Sequence, residues 1–478
     1  MMFQDILDGI LNFAGGIDAV LWGPWTMLFI AFVYLYFSVK TRFFQVRKLG
    51  YIVNRTIGKV FDRDRGEDKH TITPFQATTT ALASTVGMGS IAGVATALSV
   101  GGPGAIFWMW LLALLGMITK TVEITLAVHY REIDGEGNHR GGPMYYINKG
   151  LGWRPLSVIF SLSMFINAVF VASLLQSHTV GRAFLSSYHM NPYITTGSMA
   201  IIAAVVVIGG IKRIGYFCER LVPLMSAVYV LGGVIIFIYN FSQIPQVFGD
   251  IARYAFAPAP AAGGFAGALV IKAIQTGMAR GMLVNEAGLG TAPMVHATAN
   301  TKHPFQQGLW GAFEVFIVTF LICTISAFAI LSTGVLPNGE SGIDLVISAF
   351  TTVYPESAAR MLISFSILTF CLTTQIGFFV YYETSVVYVF GKRAMYFLKW
   401  FYFIPAIVFA GISNVDKLWV FANIAVGICA LPNLIAILAL SGAFFRLMRD
   451  SLQEKNEFAT EFIDVSKQYV QISNKSSV

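Results

Sequence analysis

The chain has 478 residues, 56% of them hydrophobic and only 12% charged, with a net charge of +7 and a mean hydropathy of +0.67. Soluble domains carry about 25% charged residues, so this chain lacks the ionisable groups to solvate a surface of its size. That excludes a cytosolic enzyme, a secreted disulfide scaffold and a disordered chain, and leaves the lipid bilayer as its main solvent.

Taken in chain order, eleven runs approach the roughly 20 apolar residues that a membrane-spanning helix needs. They are 20–39, 75–100, 104–130, 156–182, 194–211, 216–240, 262–280, 307–332, 359–390, 396–412 and 417–446. The opening Met1-Met2-Phe3-Gln4-Asp5-Ile6 lacks a basic segment and a small-residue cleavage site, so no removable signal peptide is expected. Cys218, Cys323, Cys371 and Cys429 are isolated in or beside apolar runs and form no CxxC pair. The tail after Arg449 is polar and mixed in charge.

The basic residues set the orientation. With the loop 40–73 placed inside and the runs alternating from there, 26 of the 32 Lys and Arg fall on the inner side. Arg182, Arg253, Arg360 and Lys417 fall outside, and Lys120 and Lys272 lie within spans. This is the positive-inside bias of a cytoplasmic face, with the N-terminus outside and the C-terminus inside. The charge is topological, and no nucleic-acid partner is expected.

Two runs are interrupted. The first break reads Ser84-Thr85-Val86-Gly87-Met88-Gly89-Ser90 and the second Gln275-Thr276-Gly277-Met278-Ala279-Arg280-Gly281. Glycines let the backbone leave helical geometry, and a broken span survives only where protein or a water-filled cavity surrounds the break. Half-helix amino ends suit a carboxylate, and freed carbonyls suit Na⁺. Four intact spans separate the starts of the two interrupted ones. Two broken helices, each opening a five-helix half, are the pattern of an inverted-repeat secondary transporter.

Particular motifs carry a resemblance. Pro74-Phe75-Gln76-Ala77, Thr85-Val86-Gly87, Ile91-Ala92-Gly93-Val94-Ala95, Gly101 to Trp110, Gly141-Gly142-Pro143-Met144-Tyr145-Tyr146 and Asn285-Glu286-Ala287-Gly288-Leu289-Gly290 resemble the alanine/glycine:cation symporter family, in register from about residue 20 to 446. The resemblance implies an all-α polytopic membrane protein with a leucine-transporter-like 5+5 inverted repeat and one extra N-terminal span. It implies Na⁺-driven symport of small neutral amino acids, chiefly alanine and glycine, across a prokaryotic inner membrane. The expected organisation is an extra helix in 1–40, a basic loop at 41–73, a first repeat at 74–240, an outer loop at 241–261, a second repeat at 262–446 and a tail at 447–478.

The same resemblance implies the site. The substrate carboxylate is expected against Gly87, Gly89 and Ser90, with Gln176 as a hydrogen-bonding partner. Gln275, Thr276 and Gly277 would add polar groups from the second break, and Phe378, with Tyr381 and Tyr382 nearby, an aromatic wall. Thr373 and Thr374, with the carbonyls of Ala83, Val86 and Phe370, would form a five-oxygen Na⁺ shell. No other cofactor is expected.

The chain departs from the family pattern at four points. Met88-Gly89-Ser90 stands for Thr-Gly-Asn, Val318 for an aspartate, Phe378 for a tryptophan, and Glu383 where glycine is usual. Phe378 enlarges the pocket and Ser90 shortens a cation ligand, so larger substrates and one coupled Na⁺ are the expectation.

Charges inside a membrane are costly and mark function by default. Lys120 and Glu123, spaced i,i+3 near the inner end, read as a local pair or a snorkelling Lys. Glu314 and Lys272 each read as belonging to a gating ion pair or as a proton-linked group. Glu286, on the inner loop, reads as holding an amphipathic segment or a gate. His178 and His296 show no ligand spacing and read as structural. A membrane enzyme would need a cluster such as HExxH or GxSxG, and none is present. A channel would build its filter from repeated segments across subunits. Within transporters, the second reading is a proton-coupled or broader-specificity amino-acid carrier.

Overall fold

Thr73 and Gln76 open the first broken span. The Thr73 hydroxyl accepts from the Gln76 N–H at 3.1 Å, the Gln76 side chain accepts from the Thr73 N–H at 3.1 Å, and Pro74 takes the first helical position. This reciprocal cap satisfies donors that a helix start would otherwise bury. The computed structural model describes residues 13–59, 71–257, 266–408, 410–411 and 416–453.

Among the described residues the chain is predominantly helical. The principal helices are α1 (Pro24–Lys40), α2 (Pro74–Thr85), α3 (Gly89–Gly101), α4 (Gly104–His129), α5 (Arg154–Tyr188), α6 (Pro192–Val207) and α7 (Gly210–Tyr239). They continue as α8 (Ala266–Asn285), α9 (Ala292–His296), α10 (Pro304–Thr333), α11 (Gly342–Thr351), α12 (Glu356–Leu398), α13 (Asp416–Ala439) and α14 (Ser441–Leu452). A short hairpin, β1 (Glu132–Ile133) with β2 (His139–Arg140), follows α4.

Seven helices among the described residues are long and apolar enough to cross a membrane, and α2 with α3 makes an eighth, bent by 53°. Three of the eleven expected runs take other forms. The run 194–211 becomes the shorter α6, and the described part of 262–280, from Ala266 on, lies within α8, which is twenty residues long. The run 396–412 is not one helix: α12 ends at Leu398, a turn follows, and Ile404–Val408 is a single short helix. The basic stretch 60–70 and the tail after 453 lie outside the described residues.

The first break falls where the glycines place it. Val86 leaves helical geometry at ψ 77°, and α3 begins at Gly89 with a wide π-type turn. The second does not. Through Gln275-Thr276-Gly277 and on to Asn285, α8 is continuous. Gly277 serves packing instead: a Cβ there would lie 2.8 Å from Trp108 Cβ and run into the Ala105 carbonyl. The interruption comes one segment later, between α8 and α9, where Glu286, Gly288 and Gly290 adopt positive φ angles of 54°, 79° and 76°.

The two ends of the bundle sort the loops as the Lys and Arg count does. At one end Ile72 bridges to Ala299, Arg131 donates to the Ala297 and Ala299 carbonyls, and His303 meets Asp450 at 3.1 Å. At the other, Arg182 pairs with Asp344, and Arg360 with Glu356.

Candidate functional site

The first break is where α2, α3, α5 and α12 meet. The Thr374 hydroxyl of α12 donates to the Ala83 carbonyl at 3.0 Å, with the Phe370 and Val86 carbonyls at 2.8 and 3.5 Å. The Gln176 side-chain oxygen of α5 accepts from the Met88 N–H at 3.0 Å. Gly87 lies between them. A Cβ there would sit 2.5 Å from the Thr374 hydroxyl and about 3 Å from the Gln176 amide, so a side chain at position 87 would displace one or both of these groups. All of these groups are buried.

Thr373 sits beside this cluster, its hydroxyl bonded to the Thr369 and Phe370 carbonyls at 3.0 Å each and 3.5 Å from the Met225 sulfur. Ser90 is wholly buried. Its hydroxyl reaches the Thr85 carbonyl at 3.4 Å, and its own carbonyl accepts from Ser326 at 2.8 Å. Phe378 packs edge-on against Tyr381, centroids 5.0 Å apart, and Tyr381 in turn meets the Ser84 hydroxyl at 2.6 Å.

The residues expected from the second break are not part of this cluster. Thr276 faces Gly101 at the other end of α3 and Gly277 faces Ala105 and Trp108 of α4, and Gln275 is only half-buried on α8. The residue of α8 that touches the break is Val284, whose methyl would lie 3.2 Å from a Cβ on Gly89. The physical reason is the continuity of α8, which carries positions 275–277 more than a turn away from Val284 along its axis.

Beside the second interruption lies a buried polar network that local spacing did not reveal. Lys120 does not pair with Glu123. Its ammonium donates to the Asn285 carbonyl at 2.9 Å and forms an ion pair with Glu314 of α10 at 3.1 Å, both side chains having no exposed surface. Glu314 also meets the His296 ring at 2.5 Å, and the other nitrogen of that ring meets Gln307 at 2.8 Å. Lys272, expected like Glu314 as a gating or proton-linked group, is exposed on α8. Glu286 accepts from the Thr291 hydroxyl at 2.6 Å.

Glu123 holds the interruption itself. Its two oxygens accept from the Gly288 and Gly290 N–H groups at 3.1 Å each. The Asn433 amide of α13 donates to Glu123 and, at 2.8 Å, to the Gly288 carbonyl, while the Tyr146 hydroxyl donates to Asn433. Tyr34 of α1 donates to the Ala287 carbonyl at 2.5 Å. Backbone groups freed from helical pairing inside a bilayer must find such internal partners. The motif Asn285 to Gly290 was the available signal, since two glycines two apart also occur at the first break. Nothing local marks Asn433.

At the end that carries most of the basic residues, a cavity of about 300 Å³ opens between the hairpin and α12, lined by Glu136, Arg140, Glu383, Lys392, Lys399 and Trp400 among others. Arg140 bonds Asp134 at 2.9 Å and lies 3.6 Å from Glu383, and Lys392 reaches Asp134 and Glu136 at 3.1 and 3.0 Å. Burial raises the Asp134 carboxyl, but the Arg140 hydrogen bond, the backbone donors of the hairpin and Lys392 outweigh it and hold the group well below the usual carboxylate range.

Comparison with known proteins finds matches along most of the chain. The model of the sodium:alanine symporter family matches residues 7–464. An uncharacterized transporter of Bacillus subtilis is 38% identical over 424 residues, 88% of this chain and 89% of that protein. The sodium/alanine symporter AgcS of Methanococcus maripaludis is 34% identical over 434 residues, 89% of this chain and 94% of that one. Among solved structures, MhsT in complex with L-phenylalanine superposes with a TM-score of 0.60 at 13% identity, over 86% of this chain and 100% of that one. At that identity the likeness speaks for the fold, which is leucine-transporter-like.

Proposed function

The chain belongs to the sodium:alanine symporter family, multi-pass membrane transporters that couple an amino acid to a cation, and from that premise we propose that it carries a small neutral amino acid inward with Na⁺ by alternating access. It is a transporter and not an enzyme. The proposed setting is the cytoplasmic membrane of a prokaryote, with the N-terminus outside and the hairpin end facing the cytoplasm.

The single observation that carries this reading is the meeting of Thr374, Ala83, Val86 and Phe370 across the first break. A hydroxyl that donates to carbonyls can turn its proton aside and offer its lone pairs, joining those carbonyls as a ligand for a hard cation. Neutral oxygens suit an ion that must bind and then leave. Thr373 would complete the set by releasing its bonds to its own helix. The substrate carboxylate would lie against the Gly87–Ser90 turn, oriented by Gln176, with Phe378 as the wall for its side chain. Alanine is the first substrate to test, with glycine next.

The test is uptake of labelled alanine into proteoliposomes under an imposed inward Na⁺ gradient. Uptake that follows the gradient is expected. Equal uptake with Na⁺ replaced by choline at constant pH would overturn Na⁺ coupling.

A further inference from the structure

Gln375 follows Thr374 on α12 and has no exposed surface. Neither atom of its side-chain amide, Nε2 or Oε1, has a hydrogen-bond partner among the described residues. Leaving one buried polar atom unpaired costs its full desolvation penalty, and a carboxamide left with both its polar atoms unpaired is rare in a folded chain. Leucine would fill a similar volume without that penalty.

A second unpaired group lies on the helix opposite. The Ser177 hydroxyl of α5, also with no exposed surface, lacks a partner among the described residues. Three contacts tie the surroundings of the two groups together. Ser173, one turn before Ser177, donates to the Tyr402 carbonyl at 2.6 Å, and the Tyr402 hydroxyl donates to the Gln375 carbonyl at 2.7 Å. Towards the first break, Gln176 binds the Met88 N–H, beside which Cys371 lies. Cys371, Gln375 and Phe378 follow one another at i, i+4 and i+7, a single face of α12. That face runs from the break to the proposed aromatic wall.

We propose that Gln375 and Ser177 form a polar subsite that receives the side-chain carboxamide of a neutral amino acid held at the first break. The inference rests on the substrate position proposed above and adds its side-chain class. Gln375 offers one acceptor and a donor group, and Ser177 serves as either. A carboxamide carries both functions in one plane and satisfies both atoms of Gln375. An ammonium side chain only donates and a carboxylate only accepts, and each would also bury a net charge. A site built to hydrogen-bond a polar group rejects the analogue that lacks it far more strongly than an apolar pocket distinguishes sizes.

The experiment is competition against labelled alanine in proteoliposomes, comparing asparagine with leucine and glutamine with methionine, pairs of similar shape. In the wild type, at least one amide is expected to compete at least tenfold better than its apolar counterpart. That ratio should fall at least tenfold in Gln375→Leu and about threefold in Ser177→Ala. Amides no better than their counterparts in the wild type, as when water alone fills the subsite, would overturn the proposal, as would a ratio unchanged in Gln375→Leu.

Thermal stabilisation of the purified protein by the same four amino acids gives the ratio without transport, and Ser177→Ala supplies it if Gln375→Leu does not fold. This second readout also separates the two proposals. Stabilisation by an amide without Na⁺-driven alanine uptake would sink Na⁺-coupled alanine transport and leave the subsite standing. Na⁺-driven alanine uptake without amide preference would do the reverse.

Discussion

The Lys120 ammonium lies 3.1 Å from the Glu314 carboxylate, and neither side chain has any exposed surface. A charge so placed is tolerable only while its partner stays, because deleting one member of a buried pair leaves the other uncompensated at about 3–5 kcal/mol. The surroundings make the pair unequal. Without Lys120, Glu314 keeps the His296 ring at 2.5 Å, whereas without Glu314, Lys120 keeps the Asn285 carbonyl. Glu314→Gln should therefore lower thermal stability in detergent more than Lys120→Met, and the double variant should lose less than the two losses added. Strictly additive losses in that cycle would show that the pair carries no coupling.

At the proposed cation site the two threonines should differ. Thr374 reaches across to α2, while Thr373 bonds within α12. Thr374→Val is expected to raise the Na⁺ concentration for half-maximal uptake at least tenfold, and Thr373→Val severalfold. An unchanged Na⁺ requirement in a folded Thr374→Val protein would remove the assignment.

Phe378 stands where related sequences are expected to carry tryptophan, and each methylene of extra room in an apolar pocket is worth roughly 1–3 kcal/mol of discrimination. Phe378→Trp should shift selectivity toward alanine and glycine, with larger amino acids losing at least tenfold in competition. Parallel losses for all substrates would mean that the ring supports packing and not selection.

The hairpin clamp makes a pH prediction. The Asp134 carboxyl is held below its ordinary value of 3.8, so its contribution to stability is fully present above about pH 4 and is lost as pH falls through the lower folded-state value. Asp134→Asn should accordingly lower the unfolding temperature at pH 7, and the difference from wild type should shrink only below pH 4. A difference that already disappears between pH 7 and pH 5 would assign the effect to another group.

The first break was legible because its signal is local: Gly87 and Gly89 interrupt an apolar run, and Thr73 with Gln76 announces the helix before it. The second was misplaced because Gly277 and Gly281 present the same local signal in the service of a close approach to α4. What distinguishes the true interruption is a set of partners from distant spans, Tyr34, Glu123 and Asn433. The charged pairs were misread for a related reason. Spacing i,i+3 places Glu123 beside Lys120 on one helix, but the helix buries both, and each turns to a different neighbour to compensate its charge. Thr374, Ala83 and Gln176 were readable only through family resemblance, since no spacing relates three separate helices.

Asn433 also imposes an order on biogenesis. The loop 286–291 is held by Glu123, which the ribosome has long since released, and by Asn433, which emerges nearly 150 residues after the loop itself. Until α13 enters the membrane, the Gly288 carbonyl lacks its donor and Glu123 lacks one of its own. A chain stalled or truncated before residue 433 would thus expose an unfinished seam between its two halves to whatever surveys nascent membrane proteins, and the last long span works as the closing stitch.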